Sequence, residues 1–93
     1  MIRIYNVIID EKEIIGVGPL MRKAEINGLE YQLFFEIYTR QGPIIRVSTN
    51  WFQSIDSEQS AKKEYADFEK AHIVLANGLL NGLPLYTLFP EQL

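Results

Sequence analysis

Leu20-Met21-Arg22-Lys23-Ala24-Glu25-Ile26-Asn27-Gly28-Leu29-Glu30-Tyr31-Gln32-Leu33-Phe34-Phe35-Glu36-Ile37 is the stretch on which the fold turns. Asn27-Gly28 at its centre suits the two positive φ angles of a type I′ turn, whose twist matches that of the flanking strands. A two-residue turn sets Ile26 opposite Leu29, Ala24 opposite Tyr31, Arg22 opposite Leu33 and Leu20 opposite Phe35. One face then carries Ile26, Ala24, Leu20, Leu29, Tyr31, Leu33, Phe35 and Ile37, nearly all apolar. The other carries Glu25, Lys23, Glu30, Gln32 and Glu36. Such alternation belongs to an antiparallel sheet with one face covered.

The period of two extends to both sides of this hairpin. Ile2 to Ile9 has strand composition and ends at the polar break Asp10-Glu11-Lys12-Glu13. Gly16, Gly18 and Pro19 interrupt the second strand, which places that stretch at a bulge or a sheet edge. Arg40-Gln41-Gly42-Pro43 makes the next turn, after which Ile45, Val47, Thr49 and Trp51 share one face. Strands are therefore predicted over about 2–9, 14–26, 29–39 and 44–52.

Beyond Phe52 the period changes. Ala61, Tyr65, Phe68, His72, Leu75 and Leu79 recur in threes and fours, which predicts one amphipathic helix over about 57–77. Asp56 or Ser57 would cap its start, and Gly78 or Gly82 would stop it. After Ala71 the residues Ile73, Val74, Leu75 and Ala76 clothe most of the helix, so its second half needs cover beyond the sheet. The closing segment 83–93 is too apolar for a free tail and reads as an extended arm packed on this chain or on a partner. The expectation is a single α+β domain over 1–93. It is a four-stranded antiparallel meander with one C-terminal amphipathic helix on one face and an apolar arm.

Composition limits the function classes. The 93 residues are 47% hydrophobic, an ordinary share for a globular domain. Absence of cysteine removes disulfides, thiolate nucleophiles and sulfur-ligated metals. No apolar run reaches the roughly 18–20 residues needed to span a bilayer. No basic start followed by an apolar stretch and a cleavage site is present either, and strand text begins directly after Met1. A complete small cytoplasmic protein is the expectation. A net charge of −3 argues against a dedicated nucleic-acid binder, which collects Lys and Arg on one face.

No motif commits the chain to a chemistry. His72 with Glu69 three residues earlier is half of a di-iron carboxylate pattern, whose other half needs a four-helix bundle. Gly16-Val17-Gly18 lacks the third glycine and the following helix of a dinucleotide fingerprint. The carboxylates fall in turns or on the wet flank of the helix, and no serine has a base in a recognisable arrangement. Hence no catalytic residue, cofactor or metal site is expected.

What remains is surface. Alternation turns Phe34 and Tyr38 to the outer face of the sheet, with Met21 opposite Phe34 and Val17 opposite Tyr38, an apolar patch amid charges. Lys23 and Arg46 on that face are too few, and too well offset by Glu25, Glu30 and Glu36, to make it an RNA platform. Ile73, Val74 and Leu80 on the helix, with Leu85 and Phe89 on the arm, extend the surplus. These residues predict a non-catalytic protein-interaction module, a homodimer or a subunit of a larger assembly. Two competing expectations are a small-molecule pocket between sheet and helix at Trp51, Tyr65 and His72, and an inhibitor or immunity-type protein that blocks a larger target.

Overall fold

A computed structural model describes residues 1–24, 30–49, 52–53 and 58–89. The architecture is mixed α+β: antiparallel sheets and one long helix near the C-terminus. The elements are β1 (Ile2–Ile4), β2 (Val7–Ile9), β3 (Ile14–Val17), β4 (Met21–Ala24), β5 (Glu30–Thr39), β6 (Ile44–Ser48), β7 (Phe52–Gln53), α1 (Glu58–Leu80) and α2 (Leu85–Leu88). A single 3-10 turn over Glu11–Glu13 joins β2 to β3, its start capped by the Asp10 carboxylate accepting from the Lys12 N–H.

β5 is the spine of the larger sheet. β3 and β4 lie along one edge of it, β6 and β7 along the other, all antiparallel. The hairpin register read from the sequence holds, with Met21 opposite Phe34, Arg22 opposite Leu33 and Ala24 opposite Tyr31. The Asn27-Gly28 turn itself lies outside the described residues, as do Trp51 and the expected helix caps Asp56 and Ser57.

Two departures from regular pairing follow from the glycines. From Met21 back to Val17 the chain advances four positions while β5 advances three, so the break at 18–20 holds one extra residue. A second register shift falls between Ile14 and Gly16. A one-residue slip turns a strand over. Val17 therefore faces inward opposite Ile37 and packs on the core, while Gly16 takes the expected place opposite Tyr38.

The segment 2–9 is not one strand of the main sheet. It folds on itself as the β1–β2 hairpin, Ile4 opposite Val7, through the two-residue turn Tyr5-Asn6. Ile2, Ile4, Val7 and Ile9 all point into the core. This hairpin lies against β6, tied to it by the Asn6 side chain: Asn6 Nδ2 donates to the Arg46 carbonyl at 3.3 Å, and Asn6 Oδ1 accepts from the Ser48 N–H at 2.9 Å.

The core lies between the inner sheet face and α1. Leu33, Phe35, Ile37 and Val47 meet Phe68 and Leu75 of the helix, with the hairpin isoleucines closing one side. α1 ends at Gly82, where φ is +66°. Gly82 N–H reaches the Leu79 carbonyl and Leu83 N–H the Gly78 carbonyl at 2.8 Å, which satisfies orphan carbonyls by a Schellman arrangement. The chain then reverses. The arm is not extended throughout: α2 turns back onto Gly78, where a Cβ would lie 2.9 Å from Leu88 Cδ1 and 3.0 Å from Leu85 Cδ2. Leu85 enters the core, 3% exposed, and Phe89 packs against it.

Candidate functional site

The residues singled out from the sequence fall at three places, and the structure adds a fourth. The first is the outer sheet patch. Phe34 is only 6% exposed, because the Arg46 guanidinium covers its ring at 4.2 Å. The Tyr38 ring lies across Gly16 and Gly18, where added Cβ atoms would stand 3.2 Å and 3.0 Å from it. Met21 and one side of Tyr38 stay open to solvent. Phe34 is covered within its own sheet face and is withdrawn as a docking residue, while Ile44, paired with Tyr38, is 58% exposed and extends the open part of the patch.

The second place is the expected pocket at Trp51, Tyr65 and His72. Trp51 lies outside the described residues, and Tyr65 sits exposed on the helix rim. His72 is packed rather than poised. Its ring lies 4.9 Å from that of Phe35, and Phe35 is in turn 5.3 Å from Phe68. His72 Nε2 stands 2.8 Å from the Gly18 carbonyl. A carbonyl only accepts, so this nitrogen carries a proton and donates. The break at 18–20 takes the Gly18 carbonyl out of the strand ladder, and the histidine satisfies it, while Gly18 N–H bonds the Glu36 carbonyl at 2.8 Å. His72 therefore staples helix to sheet at the point where the edge strand fails. Among the described residues, no group of three or more His, Asp or Glu side chains is placed to hold a metal ion.

The third place is the helix end with its arm. Leu85 and Phe89 are spent on the chain's own core, so they too are withdrawn as free surface. Val74 is half-buried. Ile73 at 48% and Leu80 at 83% remain exposed, and Leu83, Tyr86 and part of Leu88 join them. Ile73 and Leu80 are seven residues apart and so lie on one flank of α1, with Ala76 between them. α2 covers the Gly78 side and the sheet covers the Leu75 side, yet this flank stays bare among the described residues.

The fourth place was not foreseen. A cleft of about 570 Å³ opens where the hairpin tip, the end of β6 and the first half of α1 converge. Arg3, Tyr5 and Asn6 form one wall, Ser48 and Thr49 the floor, and Glu64 and Asp67 the helical wall. Tyr5 has φ of 54°, the only positive φ at a non-glycine among the described residues. Left-handed backbone at such a residue costs about 1–3 kcal/mol and persists only where neighbours over-determine it. Here they do. Asn6 is tied to β6 on both sides, and the Tyr5 ring stands edge-on to Phe68 at 4.7 Å. The Tyr5 phenol is pushed above its ordinary ionisation range, first by burial, then by the charges of Asp67 and Glu64.

The sequence carried one signal for this turn. Ile2 and Ile4 are even-numbered and Val7 and Ile9 odd-numbered, a change of face, but Ile8 keeps the even parity that one continuous strand would show.

No family model, curated protein or solved structure matches the chain. Function is therefore argued from these surfaces alone.

Proposed function

We propose that the chain is a non-catalytic protein-interaction module that pairs with a second copy of itself through the bare flank of α1. The observation that carries this reading is the pair Ile73 and Leu80, solvent-facing on the uncharged second half of α1. Contiguous apolar surface rimmed by polar residues marks association sites. From Ala71 to Leu83 the chain has no Asp, Glu, Lys or Arg, so two copies of this segment meet without like-charge repulsion. Ala76 and Asn77 between the two large residues let a second helix approach closely. A two-fold axis near Ala76 and Asn77 sets Ile73 of one copy against Leu80 of the other and closes after two chains.

No helix among the described residues is long and apolar enough to cross a membrane. The test is sedimentation equilibrium at tens of micromolar. The expected mass is twice that of the chain, and Ile73→Glu combined with Leu80→Glu gives the single-chain mass with an unchanged circular dichroism spectrum. A wild-type chain that sediments as one copy overturns the reading.

A further inference from the structure

The cleft at the hairpin tip has a property that the self-association reading does not use. Charges of both signs line it, and they do not close on each other. Arg3 stands on β1, with its Nε directed at the Tyr5 carbonyl at 3.5 Å. Glu64 and Asp67 stand across the opening, one helical turn apart on the same flank of α1. Among the described residues neither carboxylate has an ion-pair partner, and the Arg3 guanidinium has no carboxylate partner. Lys63 and Lys70 neighbour Asp67 along the helix but form no ion pair with it.

Three features oppose collapse of these groups onto one another. The hairpin is pinned to β6 by Asn6, which fixes the wall that carries Arg3. The Tyr5 ring, locked against Phe68, stands between hairpin and helix as a spacer. The helical wall is fixed in turn by Phe68, which is fully buried in the core one residue after Asp67. The Tyr5 ring thus stands between hairpin and helix at this end of the core.

We propose that this cleft binds a small zwitterion of the amino-acid class, its ammonium held by Glu64 and Asp67 and its carboxylate by the Arg3 guanidinium. The volume lies in the range of small-ligand sites. Arginine presents a planar fork that matches a carboxylate, and here its Nη edge is the part left over once Nε is used. The Ser48 hydroxyl on the floor is a further donor or acceptor within the same opening. Solvent-exposed ion pairs are individually weak, so binding is expected near the millimolar range, about 1 mM or weaker. The flank of α1 concerned is not the one that carries Ile73 and Leu80, so this site stands or falls apart from self-association.

The experiment is an amide-resolved NMR titration of the full chain at constant ionic strength. Alanine and 4-aminobutyrate probe two charge spacings, and propylammonium and butyrate supply each charge alone. The expected result is saturable shifts at Tyr5, Asn6, Ser48 and Asp67 with at least one zwitterion, and none that saturate with either single-charge ion. Arg3→Gln and Asp67→Asn each weaken the zwitterion by about five-fold, the worth of one exposed pair. Both side chains are exposed, and an unchanged amide spectrum in the absence of probe establishes that the variants fold. Glu64→Gln serves as the second helical variant. Equal shifts from the single-charge ions, lack of saturation at tens of millimolar, or affinity untouched by all three variants overturns the proposal.

Discussion

His72 and Gly18 show how one side chain can complete a strand that its own sequence breaks. The Gly18 carbonyl is drawn out of the ladder by the Gly-Pro interruption, and His72 Nε2 donates to it at 2.8 Å. Replacing the ring by an apolar group of similar size leaves that acceptor unpaired beneath the helix. His72→Leu is therefore expected to lower unfolding free energy by about 1–3 kcal/mol, read from the urea midpoint at constant slope. His72→Gln keeps an N–H donor on a chain of comparable reach and should lose less. Tyr5 gives a second expectation at this scale. Its phenol ionises above the ordinary value of 10.0 in the folded chain, through burial and then through Asp67 and Glu64. The unfolded chain thus releases this proton first as pH rises. The contribution of Tyr5 to stability is complete below pH 10 and is lost as pH climbs through the folded value. A tyrosine ring-carbon NMR titration should find Tyr5 ionising late. Asp67→Asn should bring it part of the way back, because the larger cause, burial, remains.

At the scale of elements, α2 depends on the absence of a side chain. Gly78 sits in the last turn of α1, where glycine costs up to about 1 kcal/mol relative to alanine, and the close approach of Leu85 and Leu88 explains its presence. Gly78→Ala sets the propensity gain against contacts of 2.9 and 3.0 Å with two leucine methyls. The net change is expected within about 1 kcal/mol of zero. Gly78→Leu has no such balance. It displaces α2 and exposes Leu85, whose burial is worth roughly 1.5–3 kcal/mol. Limited proteolysis should then trim the C-terminus between Leu83 and Leu88 before the domain itself unfolds. The same scale shows what the sequence made legible. The β4–β5 register could be read because both flanking strands alternate cleanly and the turn has a preferred length. Inward Val17 could not, because it depends on which residue the Gly-Pro break expels from the ladder. The hairpin at Tyr5-Asn6 was only half legible, because Val7 and Ile9 change parity after Ile2 and Ile4 while Ile8 does not. The cleft was not legible at all, since its walls come from segments more than forty residues apart in the chain.

For the molecule as a whole, the question is how much apolar surface one small core can absorb. The chain settles part of its surplus internally. The arm delivers Leu85 and Phe89 to the core, and Arg46 shields Phe34. The remainder is uneven: Leu80 and Ile73 lie bare on a segment without charge, whereas exposed Ile8 lies opposite Arg3 and exposed Ile44 opposite Tyr38. The radius of gyration is 14.0 Å, with extents of 39 × 25 × 25 Å, the long axis close to the roughly 35 Å length of a 23-residue helix. If a second copy covers the α1 flank, folding and association are linked, because a partner that binds only the folded form stabilises it by mass action. The melting temperature should then rise with protein concentration. A hundred-fold increase is worth up to about 2.7 kcal/mol per dimer, about 1.4 kcal/mol per chain, once the concentration exceeds the dissociation constant, or roughly five to ten degrees for a domain of this size. Differential scanning calorimetry from about ten micromolar to about one millimolar covers that range. The Ile73→Glu, Leu80→Glu double variant should melt at one temperature throughout, since it removes the linkage without entering the core. Concentration-independent melting of the wild-type chain would mean that the bare flank is simply tolerated by a monomer.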